Sequence, residues 1–356
     1  MNVLHLVYSG LGGATSVVFS LIEGDKNKIL NSKIIFTGPE IYKNYKIKSK
    51  KLGVQSKYVK TIKYCYPIFF FFILKKIIEN KPKIIFLHNY LIFECLFYKF
   101  FFSETEIIYI NHTPINQFTW RDKLIISLTP FINKIITLNR KTYFFLKKKT
   151  KFNSSRIFLI PNGINTKFYS KKKFIKKKYF KIGMACRIDK KKKYNLIIQS
   201  LLSNKINNLN IRFSLAGSGE DFFNIKNKIS ELKLNNKIKL EGYLNEIKLQ
   251  KWFESLDLYI QASSGEEMST SLLQAMSMKV PVLGSDVIGI NNFLCKDKYL
   301  GLLFKNNVSD LSTKIKYFYF LDKKIQNKYA VKQRKYILEN HNCEIMFKSY
   351  LSLMLK

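Results

Sequence analysis

One pattern constrains this chain more than any other: an alternation of elements that runs to its end and then starts again. Short apolar runs rich in Ile, Val and Phe occur at 2–8, 33–37, 83–88, 106–111, 134–138 and 156–160, and several are separated by amphipathic stretches such as 14–23 and 67–80. Apolar runs of strand length alternating with helical periodicity predict a parallel sheet wound on both faces. A second set follows, with strands expected at 180–185, 211–216, 237–241, 258–262 and 280–284 and helices at 195–202, 222–232, 246–255 and 269–277. The expected fold class is therefore α/β, with two Rossmann-like doubly wound domains. We place the first at 1–166 and the second at 167–335, with 336–356 a terminal helix that returns to the first domain. The lysine-packed stretch 167–181 reads as the linker. Domains of this kind bind ligands in the crevice outside the carboxyl ends of their strands.

With 356 residues, 47% of them apolar, the chain can build two cores. Its five cysteines form no CxxC pair and no His stands at metal-ligand spacing, so they read as reduced thiols and no metal is expected. Residues 1–8 carry no leading cation and run into Gly10–Gly13, which suits a strand and turn better than a signal peptide. No apolar run approaches the roughly 20 residues of a spanning helix. The expected location is cytoplasmic, with a peripheral position on the inner face of the cell membrane. Lys plus Arg number 62 against 24 Asp plus Glu, a formal charge of +38. Such a chain is drawn to polyanions. Two explanations stand: a composition biased toward Lys, Asn, Ile, Phe and Tyr, and a real attraction to an anionic surface.

The segment richest in chemistry is 260–289. A strand is expected to end near Ala262, a small-residue turn carries Glu266 and Glu267, and Met268-Ser269-Thr270-Ser271 opens a helix. The first N–H groups of a helix have no partner within it and, with the helix dipole, suit an anion or sugar hydroxyls. The plainer alternative is that the two glutamates cap the helix.

This segment resembles the signature of retaining GT-B glycosyltransferases of family 4, the glycosyl transferases group 1. Their frame is a Glu, seven residues, a second Glu with Ala-Met, and Pro-Val beyond. Glu266, then Gln274-Ala275-Met276, then Lys279-Val280-Pro281-Val282 fits it, with Gln274 where the family has Glu. The resemblance implies that Glu266 contacts the donor sugar and that Gln274 stands where the ribose is held, keeping hydrogen-bonding capacity without the charge. Arg187 and Lys192 match the Arg, four residues, Lys pattern that implies diphosphate binding. Fork and point charge together offset leaving-group charge. Gly217 and Gly219, in Leu215-Ala-Gly-Ser-Gly-Glu220, match a loop that runs close to the nucleotide, and Glu241-Gly-Tyr-Leu244 a strand end beside the base. Pro161-Asn-Gly163 resembles the element closing the first domain, and is also a simple turn. Gly12 and Gly13, in Gly10-Leu-Gly-Gly13, resemble the loop that touches the donor phosphate; the P-loop Lys-Ser/Thr is missing, so ATP hydrolysis is unsupported.

His112, at an expected strand end, stands where the family has a His near the reacting sugar. His88 also ends a strand and could line the acceptor side; His5 reads as core. The implied reaction is transfer of a hexose-type sugar from a nucleotide-diphosphate sugar, with retention, to a glycan or lipid-linked glycan in surface polysaccharide or lipopolysaccharide synthesis. The nucleotide sugar is a co-substrate, no cofactor is expected, and the aromatic run 64–74 suits an anionic membrane face. Two other readings remain: a basic nucleic-acid- or membrane-binding protein, though no nucleic-acid motif is present, and an inactive GT-B interaction module.

Overall fold

The structure, a computed structural model, describes residues 1–61, 66–149, 154–170 and 178–355. Tyr64, Cys65 and residues 171–177 of the expected linker lie outside them. The chain divides into two units, Met1–Gly163 with Cys343–Lys356, and Ile164–Asn342.

In the first unit, strands β1 (Asn2–Tyr8), β2 (Asn31–Gly38), β3 (Gln55–Lys60), β4 (Ile84–Leu87), β5 (Glu106–Ile110), β6 (Lys134–Thr137) and β7 (Ile157–Leu159) form one sheet in the order β3-β2-β1-β4-β5-β6-β7. Every pairing is parallel, with Leu6 beside Leu87 and Leu87 beside Tyr109. Leu4, Leu6, Ile85, Leu87 and Ile107 pack one face against the helices Tyr66–Asn80 and Ile92–Phe101. Val7, Ile34 and Phe36 meet the helix Gly13–Gly24 on the other. The helix Cys343–Met354 completes that face: a Cβ on Gly24 would lie 2.3 Å from the Cys343 carbonyl oxygen, and Tyr350 packs edge-on against Phe86.

In the second unit, β8 (Phe180–Ala185), β9 (Ile211–Ala216), β10 (Ile238–Gly242), β11 (Leu258–Gln261), β12 (Val282–Ser285) and β13 (Leu302–Phe304) lie in the order β10-β9-β8-β11-β12-β13, again all parallel. The neighbours β1 and β4, and β8 and β11, lead into connections that wind in opposite directions. These pairs are the topological switch points, where open α/β sheets bind ligands.

The units part at Gly163 and Asn342, where the sequence suggests 166 and 335. Arg334, on the helix Lys323–Asn340, explains the difference. Its guanidinium donates to the carbonyl oxygens of Thr166 (2.9 Å), Tyr169 (2.7 Å) and Ser277 (2.8 Å), tying both ends of the second unit together. Ile164 N donates to His341 O at 2.8 Å in the same way.

Candidate active site

At the β8–β11 switch point the sequence turns polar just where the strands end. Two backbone loops leave there and zip together: Lys193 N donates to Ala262 O at 3.0 Å, and Ser264 N to Lys191 O at 3.1 Å. This pairing brings Lys192 to Glu266, across a sequence gap of 74 residues, in a close hydrogen-bonded ion pair. Both side chains are largely buried, 18% and 13% exposed. Burial alone would push the Lys192 ammonium down, but the Glu266 carboxylate outweighs it and holds the pKa above its ordinary value. Lys192 is thus a charged, oriented cation.

Two residues that motif reasoning does not single out brace Glu266 and Arg187. Gln261, at the end of β11, donates to the same Glu266 oxygen at 2.9 Å. Its carbonyl oxygen accepts from Ser269 at 3.1 Å and lies 2.8 Å from the Tyr259 hydroxyl. Asp189 accepts from Arg187 Nε at 2.7 Å and from Lys191 N at 3.0 Å. Arg187 is thereby anchored at one nitrogen while its side chain stays 48% exposed. An Asp two residues after the Arg is the available sequence signal for the second brace; the first has none, because Gln261 lies inside an apolar strand.

The Glu266 side chain goes to Lys192 and Gln261 rather than to the N-cap of the helix Thr270–Ser277. That cap is Ser269, which accepts from Leu272 N at 3.3 Å. Glu267 is buried. The Ser269 and Ser271 hydroxyls turn inward to Gln261 and Tyr259, so the outward donors of this turn are backbone N–H groups of Thr270 and Ser271, as helix geometry requires. Met268 is partly buried before the cap, and Gln274 is buried one turn further along.

Gly217 and Gly219 have a structural reason beyond any ligand. A Cβ on Gly217, whose φ is +136°, would lie 1.8 Å from the Cys186 carbonyl oxygen, and one on Gly219 would lie 2.3 Å from that of Ile188. Hydrogen bonds from Cys186 N to Ala216 O and from Ile188 N to Ser218 O, each 3.0 Å, fasten this loop under Arg187. The turn carrying Glu266 is held likewise: Ser285 Oγ accepts from Ser263 N at 3.1 Å and donates to Asn306 at 2.7 Å, and Asn306 returns to Ser263 O at 3.1 Å.

In the first unit, Gly12 is the extended N-cap residue of the helix Gly13–Gly24, and a Cβ placed on it would meet nothing within 4 Å. The fold itself does not demand a glycine there. Thr15 Oγ1 donates to Tyr8 O at 2.9 Å and ties this turn to β1. His112 follows β5 and is partly exposed, while His88 is buried and does not face outward to line an acceptor side. Instead His5, His88 and His112 form a line. His5 Nδ1 lies 3.4 Å from His88 Nε2, and His88 Nδ1 lies 3.0 Å from His112 Nε2. Burial lowers the pKa of His5 to about 3 and of His112 to about 4, and burial and then its two neighbours hold His88 well below its ordinary value. All three rings are neutral near pH 7. Among the described residues no group of His, Cys, Asp and Glu is arranged to hold a metal, and Cys95, Cys186, Cys295 and Cys343 are free thiols.

Known proteins resemble this chain in sequence and in fold. Residues 165–336 match the family model of the glycosyl transferases group 1, so the resemblance carried by Glu266, Arg187 and Lys192 extends over the second unit. The chain is 26% identical over 254 residues, 69% of its length, to a poly(ribitol-phosphate) alpha-N-acetylglucosaminyltransferase of Staphylococcus aureus (strain COL). It is 25% identical over 209 residues, 58% of its length, to the GtfA subunit of a UDP-N-acetylglucosamine–peptide N-acetylglucosaminyltransferase of Streptococcus agalactiae. It spans only 50% and 39% of those two proteins. Among solved structures, Anabaena Alr3699/HepE in complex with UDP-glucose aligns with a TM-score of 0.83 at 13% identity over 99% of both chains. The fold is GT-B, two Rossmann-like parallel-sheet domains in series.

Proposed function

We propose that this chain, whose second unit carries a glycosyl transferases group 1 domain, moves a hexose-type sugar from a nucleotide-diphosphate sugar to a glycan or lipid-linked glycan acceptor. In this reading the anomeric configuration is retained, and the reaction serves surface polysaccharide or lipopolysaccharide synthesis. The observation that carries the reading is the Lys192–Glu266 pair, held beside Arg187 at the β8–β11 switch point. Arg187 and Lys192 offset the charge that grows on the departing nucleoside diphosphate as the glycosidic bond breaks. Glu266 orients Lys192 and contacts the donor sugar, whose hydroxyls meet the backbone N–H groups of Thr270 and Ser271. Gln274 is the donor's ribose contact, and Gly217 and Gly219 bring backbone close to the nucleotide. In the first unit, Gly12 and Gly13 approach the donor phosphate and His112 the reacting sugar. Two cations serve the diphosphate, so turnover persists in EDTA.

Arg187→Ala is the cleaner test, because Arg187 is half-exposed whereas Lys192→Ala would strand a largely buried carboxylate and unsettle the fold. UDP-N-acetylglucosamine and UDP-glucose are the first donors to screen, by thermal shift and then by transfer. Turnover of Arg187→Ala should fall about 10²–10³-fold with the melting temperature unchanged. Near-normal turnover sinks the assignment.

A membrane surface belongs to the same reading. On the helices Tyr66–Asn80 and Ile92–Phe101, Phe71, Phe72, Phe97, Phe100 and Phe101 are exposed, Phe100 at 81%. Rings touch in a line from Phe71 through Phe70, Phe97 and Phe101 to Phe100, at 5.2–5.6 Å between centroids. Helices packed on the same sheet face carry the exposed cations Arg121, Lys123, Arg140 and Lys141. Aromatic rings among cations suit an anionic interface at the cytoplasmic leaflet. No described helix is long and apolar enough to cross a membrane. In a flotation assay the protein should rise with vesicles containing anionic lipid and stay down with neutral ones. A Phe97→Ser/Phe100→Ser/Phe101→Ser variant should stay down with both. Equal flotation of the variant removes this surface from the account.

A further inference from the structure

The three histidines form a hydrogen-bonded line from the sheet interior to the end of β5. Its inner end decides the state of its outer end. Three neutral imidazoles have three protons for six nitrogens, and the two N···N contacts take one proton each. Only two orders satisfy both contacts. If protons point inward, His112 donates to His88 and His88 to His5, and the last N–H sits on His5 Nε2. If they point outward, that nitrogen keeps a bare lone pair. His5 Nε2 is fully buried beside the stacked Phe86 ring and has no hydrogen-bond partner among the described residues. Orphaned buried N–H groups are rarer in folded proteins than under-satisfied acceptors, and an unpaired donor bears the full cost of its lost hydration.

We propose that the line runs outward, His5 donating to His88 and His88 to His112, so that His112 carries its proton on Nδ1 and serves as a neutral hydrogen-bond donor to an oxygen of the sugar substrate rather than as a general base. His88 and His5 are then positioning residues. The one lone pair of His112, on Nε2, is occupied by the His88 proton. Protonating His112 on Nε2 would break that contact. The substrate part of this inference rests on the function proposed above; the proton order rests on the geometry alone.

The order has a direct signature. Outward polarity puts the proton on Nδ1 in all three rings, whereas a free neutral histidine side chain favours Nε2. The chain has only four histidines, so long-range ¹H–¹⁵N spectra of the uniformly labelled full chain near pH 7.5 resolve each ring. The expected result is the Nδ1–H tautomer at His5, His88 and His112. In His88→Phe, which removes the donor, His112 should revert to Nε2–H. In His88→Gln, whose amide can still donate, it should stay Nδ1–H. Nε2–H tautomers in the parent chain overturn the proposal, whether or not transfer is detected. In the transfer assay kcat/KM should fall about 10-fold in His88→Phe and recover in His88→Gln. Tautomers as expected with undiminished kcat/KM in His88→Phe would overturn the donor role alone, and absence of transfer in the parent chain would count against the enzyme assignment and leave the proton order standing.

Discussion

At the residue scale, Lys192 shows what a motif can and cannot convey. Its spacing from Arg187 is visible in the sequence, but its partner is Glu266, and only the zipped loops bring them together. Asp189 and Gln261 orient the two ends of this constellation and carry no motif. The histidines show the same gap: His5 is buried as its strand position suggests, yet it belongs to a polar line. That line makes stability depend on pH. The folded-state pKa of His5 is lowered by burial to about 3, whereas the unfolded chain titrates at the ordinary value near 6.5. Above that value both states are neutral and the histidine imposes no cost. As pH falls through 6.5 only the unfolded chain takes up the proton, so stability falls, and the loss continues down to about pH 3. At pH 5 the loss from this one residue is about 2 kcal/mol. Urea titrations at pH 7 and pH 5 should show the parent losing more stability than His5→Phe; equal losses would contradict the buried neutral ring.

At the element scale, most strands legible in sequence are buried along most of their length, where a continuous apolar run is obligatory, and the edge strands β7 and β10 are legible although partly exposed. The ones that escape are edge strands: β3, Gln-Ser-Lys-Tyr-Val-Lys, is partly exposed or exposed throughout, and β13 is three residues long. The helix Lys43–Lys51 escapes for the same reason, with one buried residue. Loops divide by what packs on them. Gly217→Ala must move a carbonyl from a left-handed backbone position and should destabilise by more than ~1 kcal/mol, whereas Gly12→Ala enters open space and should change stability by less than ~0.5 kcal/mol. Chemical denaturation separates the two. If Gly12→Ala keeps its stability and loses transfer, the glycine serves a ligand and not the fold.

At the scale of the whole molecule, the first unit is completed by the end of the chain. The helix Cys343–Met354 buries Cys343, Met346, Phe347, Tyr350, Leu353 and Met354 against it. Six buried side chains are worth on the order of 10 kcal/mol, comparable with the net stability of a domain. Truncation after Asn342 should therefore abolish the cooperative unfolding of the first unit, read by circular dichroism and calorimetry; an unchanged transition would show the helix to be dispensable. The sequence by itself determined the two successive α/β sets, the parallel sheets and the small set of cations and carboxylates worth testing, because apolar periodicity and strand-end polarity are local properties. Only the tertiary structure decided which of those residues meet. Ion pairs, braces and proton order depend on contacts between residues tens of positions apart, and no local pattern encodes a distance across a sheet.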